Sequence, residues 1–352
     1  MRHSRSRSRG TVAIALGVFV ACVATCGRSD GAATRVVIPP GATMRTAADS
    51  LAKAGVIRWA KVFRVYAAVR HSDRGIKAGT YLLHRHSGWA TVLDALRAGK
   101  GIVHIVTIPE GLSLSQIEPL IASKLGQPLD SVDLAVRDTA WLHRLHIPTP
   151  TLEGYLFPDT YTFPDGTSAR AAVDAMLRRF EQVWRPEWTA RLDSIPLSRH
   201  GVMTLASIVE KEARLAQERP IIAAVYLNRL RDGMLLEADP TVQYALGRHV
   251  ARVFYKDLEV ESPYNTYRNK GLPPGPIASP GRASIEAALY PANVPYEYFV
   301  ALPDGHHEFR RDLAGHMQAK LEARRAWDTL QGVRRGAPGA RKDVPAAGPR
   351  SR

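Results

Sequence analysis

Apolar residues recur along the chain with two spacings, broken by proline and glycine. Alternation at every second position marks strands, and a period near 3.6 marks helices that bury one face. Arg35–Ile38 (RVVI) reads as a strand, Pro39-Pro40-Gly41 as a turn, and Thr46–Ala54 as a helix ending at Gly55. The same grammar returns at Ile105–Ile108 (IVTI), Pro109-Glu110-Gly111 and Leu114–Leu125, with Thr43 or Ser113 two residues after the glycine. Between the copies the pattern predicts a helix over Trp59–Val69, a strand over Gly79–Leu83 and a helix over Trp89–Ala98. Together these make a small α+β module spanning residues 35–125.

Residues 128–147 turn mostly helical and amphipathic, whereas Thr151–Pro164 (TLEGYLFPDTYTFP) is aromatic and broken by Gly154 and Pro158, too irregular for one long element. Helices follow at Ala169–Trp184 and Pro186–Leu192. The stretch Leu205–Arg231 then reads as two helices meeting at a corner. The first runs from about Thr204 to Leu215. The second begins at Glu218-Arg219-Pro220, carries Ile221, Ile222, Val225, Leu227 and Leu230 at helical spacing, and stops at Gly233. Asp239 falls at or just before the N-cap of a helix reaching Leu246. Residues 262–281 hold five prolines and three glycines, a rigid but irregular loop of the kind that builds binding walls. A helix at Ala283–Leu289, strands at Tyr296–Ala301 and near Glu308-Phe309 about an Asp304-Gly305 turn, and a terminal helix from Leu313 to about Leu330 complete an α+β fold. Its second domain, residues 126–332, is mostly helical with short strands, and residues 333–352 read as a disordered basic tail.

The net charge of +15 is concentrated at the ends: residues 1–10 supply +4 and residues 333–352 supply +5, leaving +6 on the body. That mild excess does not call for nucleic acid, and a nucleic-acid binder rests on the tails alone. Residues 1–34 are an export or anchor segment with its linker. Arg2, Arg5, Arg7 and Arg9 precede the uncharged apolar run Thr11–Thr25. At about 15 residues the run is shorter than the ~20 that span a bilayer comfortably, so it reads as a short anchor, a lipoprotein signal ending at Cys26, or a cleaved signal. Cys22 and Cys26 are the only cysteines, so the exported body has neither a disulfide nor a cysteine metal site.

Glu210 and Glu212 lie among Leu205, Ala206, Ile208, Val209 and Ala213, where acids are not placed for solubility. Positions two apart sit ~200° around a helix axis, so the two carboxyls face different ways. The helical wheel slightly favours Glu212 as the more buried, and the bland alternative pairs both with bases such as Lys211 and Arg214. Burial raises a carboxyl's pKa toward what a general acid needs near neutral pH. Glu153, Asp239, Tyr264, Asn265 and Tyr267 occupy irregular or terminal positions, and aromatic rings beside amides and hydroxyls suit a sugar polymer. His84, His86, His306 and His307 lack cysteine or acidic company and read as solvated side chains rather than metal ligands. No P-loop, dinucleotide fingerprint or serine-hydrolase elbow is present, so no cofactor or metal is expected.

In order and spacing, LEGYLFPDTY (152–161), LASIVEKEA (205–213), ERPIIAAVYLNRL (218–230), ADPTVQYALG (238–247), YNTY…GLPPGPIASPG (264–281) and YFVA…HHEF (298–309) resemble the endolytic murein transglycosylase family, YceG-like. The Ile-Pro-x-Gly repeat resembles that family's N-terminal part, which includes a LysM-like subdomain. The resemblance implies an inner-membrane lytic transglycosylase with its catalytic domain on the periplasmic side. It would cut nascent peptidoglycan between N-acetylmuramic acid and N-acetylglucosamine, leave 1,6-anhydro ends and limit strand elongation. The family's catalytic acid, the first glutamate of the I-V-E-K-E motif, falls on Glu210, against the preference of the wheel. Glu153, Glu212, Asp239, Asn265 and Tyr267 match motif positions that line or support the cleft. Implied partners are glycan strands, the membrane and penicillin-binding protein synthases, with no nucleic acid. A non-catalytic peptidoglycan-binding scaffold that recruits synthases is the alternative from another class.

Overall fold

A computed structural model describes residues 32–247 and 253–336, and it forms two compact units. The export segment and the end of the basic tail lie outside the described residues. Among the described residues no helix is long and apolar enough to cross a membrane.

The first unit comprises the described residues up to Thr107 together with residues 121–127 and 160–169. Strand β1 (Ala33–Ile38) pairs antiparallel with β2 (Gly79–His84), Val36 opposite Tyr81 and Ile38 opposite Gly79. Alternation decides the faces: Val36 and Ile38 are buried while Val37 is exposed. Helices α1 (Met44–Lys53), α2 (Ala60–Val69) and α3 (Trp89–Ala98) cover that sheet. Thr43 caps α1, its hydroxyl accepting the Thr46 amide at 3.3 Å. Leu51, Phe63, Tyr81, Leu93 and Leu96 fill the core, and Trp89 meets Phe63 edge to face with ring centroids 5.8 Å apart, worth ~1 kcal/mol beyond area burial.

One boundary departs from the sequence reading. Strand β3 (Val103–Thr107) pairs antiparallel with β4 (Thr160–Pro164), Val103 opposite Pro164 and Thr107 opposite Thr160. The first unit is therefore discontinuous and does not end with the helix at 125. A single cut between 125 and 126 misses this because β4 is the tail of a segment whose Gly154 and Pro158 suggest irregular chain throughout.

The second unit comprises residues 108–120, 128–159 and those from Arg170 onward. Helices α4 (Leu114–Leu125), α5 (Leu129–Val136), α6 (Thr139–Leu145), α7 (Ala169–Val183) and α8 (Pro186–Leu192) lead to α9 (Arg199–Glu212). Ser198 caps α9 by accepting the Gly201 amide at 3.1 Å. Every residue from Val202 to Val209 is buried, so α9 is wrapped on all sides, against α10 (Arg219–Arg231), α11 (Asp239–Ala245) and α12 (Arg282–Leu289). The helix starts five residues earlier and stops three earlier than the sequence predicts. Pro220 enters α10 in its first turn, as expected, and Gly233 follows that helix with φ +66°.

Near the C-terminus of α10 two polar side chains turn inward. Asn228 donates to the Val294 and Tyr296 carbonyls at 2.9 and 2.8 Å, and Arg229 to those of Leu235, Leu236 and Glu297. With its carbonyl taken by Asn228, Tyr296 stays out of the hairpin, which pairs β5 (Tyr298–Ala301) with β6 (His307–Arg310). His307 corrects the expectation of a solvated histidine: it is buried, and Glu218 accepts its backbone amide at 2.9 Å and its Nδ1 at 2.7 Å. His84 and His86 are exposed. Helix α13 (Leu313–Gly336) runs past both Leu330 and the expected start of the tail at 333.

Candidate active site

The site grows from two irregular segments held against α9. The turn at 109–113 and the end of the proline-rich loop pair like two strands: the Gly111 amide donates to the Ser279 carbonyl and the Ser279 amide to the Leu112 carbonyl, each at 2.8 Å. Ser207, buried in α9, accepts the Ile277 amide at 3.0 Å and pins the loop to the helix. Gly154, at φ +82°, is pressed against Pro276 so closely that a Cβ there would overlap the proline ring. Only glycine satisfies both the dihedral and the contact.

At the end of α9 the two glutamates diverge, as their spacing requires. The Glu210 carboxyl reaches the start of α12: its Oε2 accepts the Gly281 amide at 3.1 Å and the Ser284 hydroxyl at 2.7 Å, and its Oε1 lies 3.6 Å from Arg219. Arg219 also donates to Ser284 at 3.0 Å, closing the network. The carboxyl thus caps α12 at its positive end. Gly111 lies over the Glu210 Cγ, and Lys211 donates to the Gly111 carbonyl at 3.1 Å. The bland alternative, a pairing with Lys211 or Arg214, is not what Glu210 shows: Arg219 lies at its carboxyl, and Lys211 is engaged with the Gly111 carbonyl.

Glu212 points elsewhere. Its Oε1 accepts the Tyr226 hydroxyl at 3.1 Å, and desolvation, reinforced by the charge of Asp239, pushes its pKa up to about 7. Asp239 is the first residue of α11 rather than its cap, and accepts the Tyr267 hydroxyl at 2.6 Å. Asn265 is fully buried within its loop: its amide donates to the carbonyls of Leu258 and Val260 and its Oδ1 accepts the Tyr267 amide. Glu212, Asp239 and Tyr267 therefore form one acid–phenol cluster, and Asn265 braces the loop that presents Tyr267.

Glu153 belongs to a third setting. Both its oxygens accept the Leu114 amide at 3.1 Å, and Oε2 accepts the Tyr244 hydroxyl at 3.2 Å. It occupies the cap position of α4, where the repeat with Thr43 would place Ser113. Burial pushes its pKa up to about 7, opposed by the Leu114 and Tyr244 hydrogen bonds. Glu153 and Tyr244 line a cavity of about 550 Å³ together with Ser113, Gln116, Glu118, Arg137, Lys211 and Gly111. Tyr264 lies against Tyr244, ring centroids 4.8 Å apart. Of the aromatics in 151–164, Tyr155, Phe157 and Phe163 are buried core instead. The cavity offers carboxyl, guanidinium, hydroxyl and aromatic groups together, a lining suited to a polyhydroxylated ligand.

One acid in this neighbourhood is not singled out by the sequence. Glu110, in the turn before α4, rests its carboxyl on Gly281, so that a Cβ at 281 would overlap it. Burial, and secondly the charge of Glu210, raise its pKa, against the opposing effect of Arg219. The signal in the sequence is slight: the first Ile-Pro-x-Gly copy carries Pro40 where the second carries Glu110. Among the described residues no group of histidine, cysteine or acid side chains is arranged to hold a metal.

A model of the YceG-like family matches residues 36–322. A Bacillus subtilis protein named endolytic murein transglycosylase is 36% identical over 299 residues, covering 80% of this chain and 82% of the relative. A Streptococcus pneumoniae protein of the same name is 29% identical over 325 residues, 81% of this chain but 59% of the longer relative. The crystal structure of a yceG-like protein from Listeria monocytogenes superposes with a TM-score of 0.60 at 34% identity, covering 81% of this chain and 97% of that one. By matched length, ordered motifs and superposed fold, this chain belongs to the YceG-like family.

Proposed function

We propose that the chain is an endolytic peptidoglycan lytic transglycosylase whose acid is Glu210. The observation that carries the reading is the setting of that carboxyl: fixed by Gly281, Ser284 and Arg219 on one side, and covered by Gly111, whose turn and whose neighbour Lys211 also line the polar cavity. A fixed carboxyl beside a turn that lines a polar groove supports a role in general acid catalysis. Glu210 donates its proton to the glycosidic oxygen as the bond from C1 of N-acetylmuramic acid breaks. The resulting carboxylate takes a proton from the C6 hydroxyl of the same sugar, and that oxygen closes on C1 to give the 1,6-anhydro end. The attacking group is intramolecular, so no water is activated, and one side chain serves as acid and then base.

Glu153 and Tyr244 belong to the wall of the groove in this reading. Glu212, Asp239, Asn265 and Tyr267 support it from behind. The LysM-like assignment of the first unit would give the enzyme a second hold on glycan. The apolar run before residue 32 would tether it to the outer face of the inner membrane beside penicillin-binding protein synthases.

Mass spectrometry of products from uncrosslinked glycan tests the proposal, with wild type beside Glu210→Gln. Wild type is expected to release anhydro-muramoyl ends, and Glu210→Gln none above background. Reducing muramic acid ends would make the enzyme a hydrolase and remove the C6 step. Glycan binding without cleavage by the wild type would favour the scaffold.

A further inference from the structure

We infer that Glu110 is a positioning residue that acts through Glu210, its carboxyl set against Gly281 so that ionisation of the proton donor beside it is opposed. The inference rests on the transglycosylase reading and assigns a role to a side chain that the mechanism above leaves unused.

Gly281 is the geometric link. Its amide is donated to Glu210, while the Glu110 carboxyl lies against its Cα, in space that any side chain at 281 would fill. The paired backbone of Gly111–Leu112 with Ser279 holds Glu110 in that place, so the approach is built by the fold. Two carboxyls facing one residue repel each other when both are ionised, so the charge on one opposes ionisation of the other. The charged groups around them are Glu210 and Lys211 from α9, Arg219 from α10, and Arg282, next to Gly281 at the start of α12. Lys211 is turned to the Gly111 carbonyl, and Arg219 to Glu210 and Ser284. Glu210 thus has an amide, a hydroxyl and a guanidinium at its oxygens, whereas Glu110 is an exposed residue with its carboxyl against Gly281. Burial and the charge of Glu210 raise the Glu110 pKa, as such an approach of two acids requires. Once glycan displaces water, the Glu210 proton passes to the leaving oxygen, and Glu210 regains one from the C6 hydroxyl. Protonation of the pair is the same before and after turnover.

The test is the pH dependence of cleavage by the full-length protein with Glu110→Gln and Glu110→Asp. Glu110→Gln is expected to lower kcat by about tenfold or more with KM near that of wild type. It should also move the alkaline limb of the profile to lower pH, because the neighbouring negative charge that opposes loss of the catalytic proton is gone. Glu110→Asp, which keeps a carboxyl, should restore part of both. The side chain is exposed, so thermal melting should be unaltered. A Glu110→Gln enzyme with wild-type kcat and an unmoved limb overturns the inference, provided Glu210→Gln is inactive in the same assay. If the wild type itself forms no anhydro ends, the transglycosylase reading fails first.

Discussion

Glu210 and Glu212 occupy the last turn of one helix, two residues apart, yet their surroundings have little in common. Glu210 meets the start of a neighbouring helix, a hydroxyl and an arginine, beside a turn that opens into a polar cavity. Glu212 meets a phenol and a second acid in the interior, where desolvation pushes its pKa to about 7. A strongly perturbed acid is a candidate for catalysis only where it also has access to substrate.

The comparison breaks most sharply on turnover. Glu210→Gln should reduce glycan cleavage by roughly 10²-fold or more, whereas Glu212→Gln should cost less than about tenfold, measured as released anhydro ends. Equal losses would place both acids in the chemistry. The next effect is on stability. A carboxyl with pKa about 7 in the fold and near 4.5 when unfolded holds its proton more tightly when folded. It stabilises below pH 4.5, and that contribution is lost as pH rises through 7, by at most about 3 kcal/mol. Between pH 5 and pH 8 the wild-type melting temperature should fall, and Glu212→Gln should flatten that fall; an unchanged slope would mean Glu212 is solvated. Ser284→Ala removes one donor from Glu210 and should lower kcat more than it lowers stability, which should drop by about 1 kcal/mol in denaturant melts. The smallest effect is expected of Tyr226→Phe, also about 1 kcal/mol, with cleavage altered less than by Ser284→Ala.

Much of the fold is legible in the residues. Helices Leu114–Leu125, Trp89–Ala98 and Pro186–Leu192 lie where periodicity and punctuation put them, because each has one buried face and a clear stop. The wheel of α9 sets Glu212 only slightly ahead of Glu210, because Val202–Val209 is buried all round and has no polar face to set the phase. Strand β4 was hidden because its partner is more than fifty residues earlier in the chain, and local pattern does not report so distant a pairing. Likewise His307 looked solvated until Glu218, far away in sequence, supplied its partner. The acidic turn residue Glu110 was invisible as chemistry for the same reason: Gly281 and Glu210 give it meaning, and neither is near it in sequence.

The pairing of β3 with β4 has one further consequence. Because residues 160–164 complete a sheet begun at 103–107, no single excision point releases the amino-terminal portion intact. A fragment ending at 125 would carry an orphaned strand with unmet amides along its edge, prone to sticking to its own copies. Gene fusions or shuffling events that exchange this portion intact must move three segments at once, so its evolutionary trade is tied to that of the second unit.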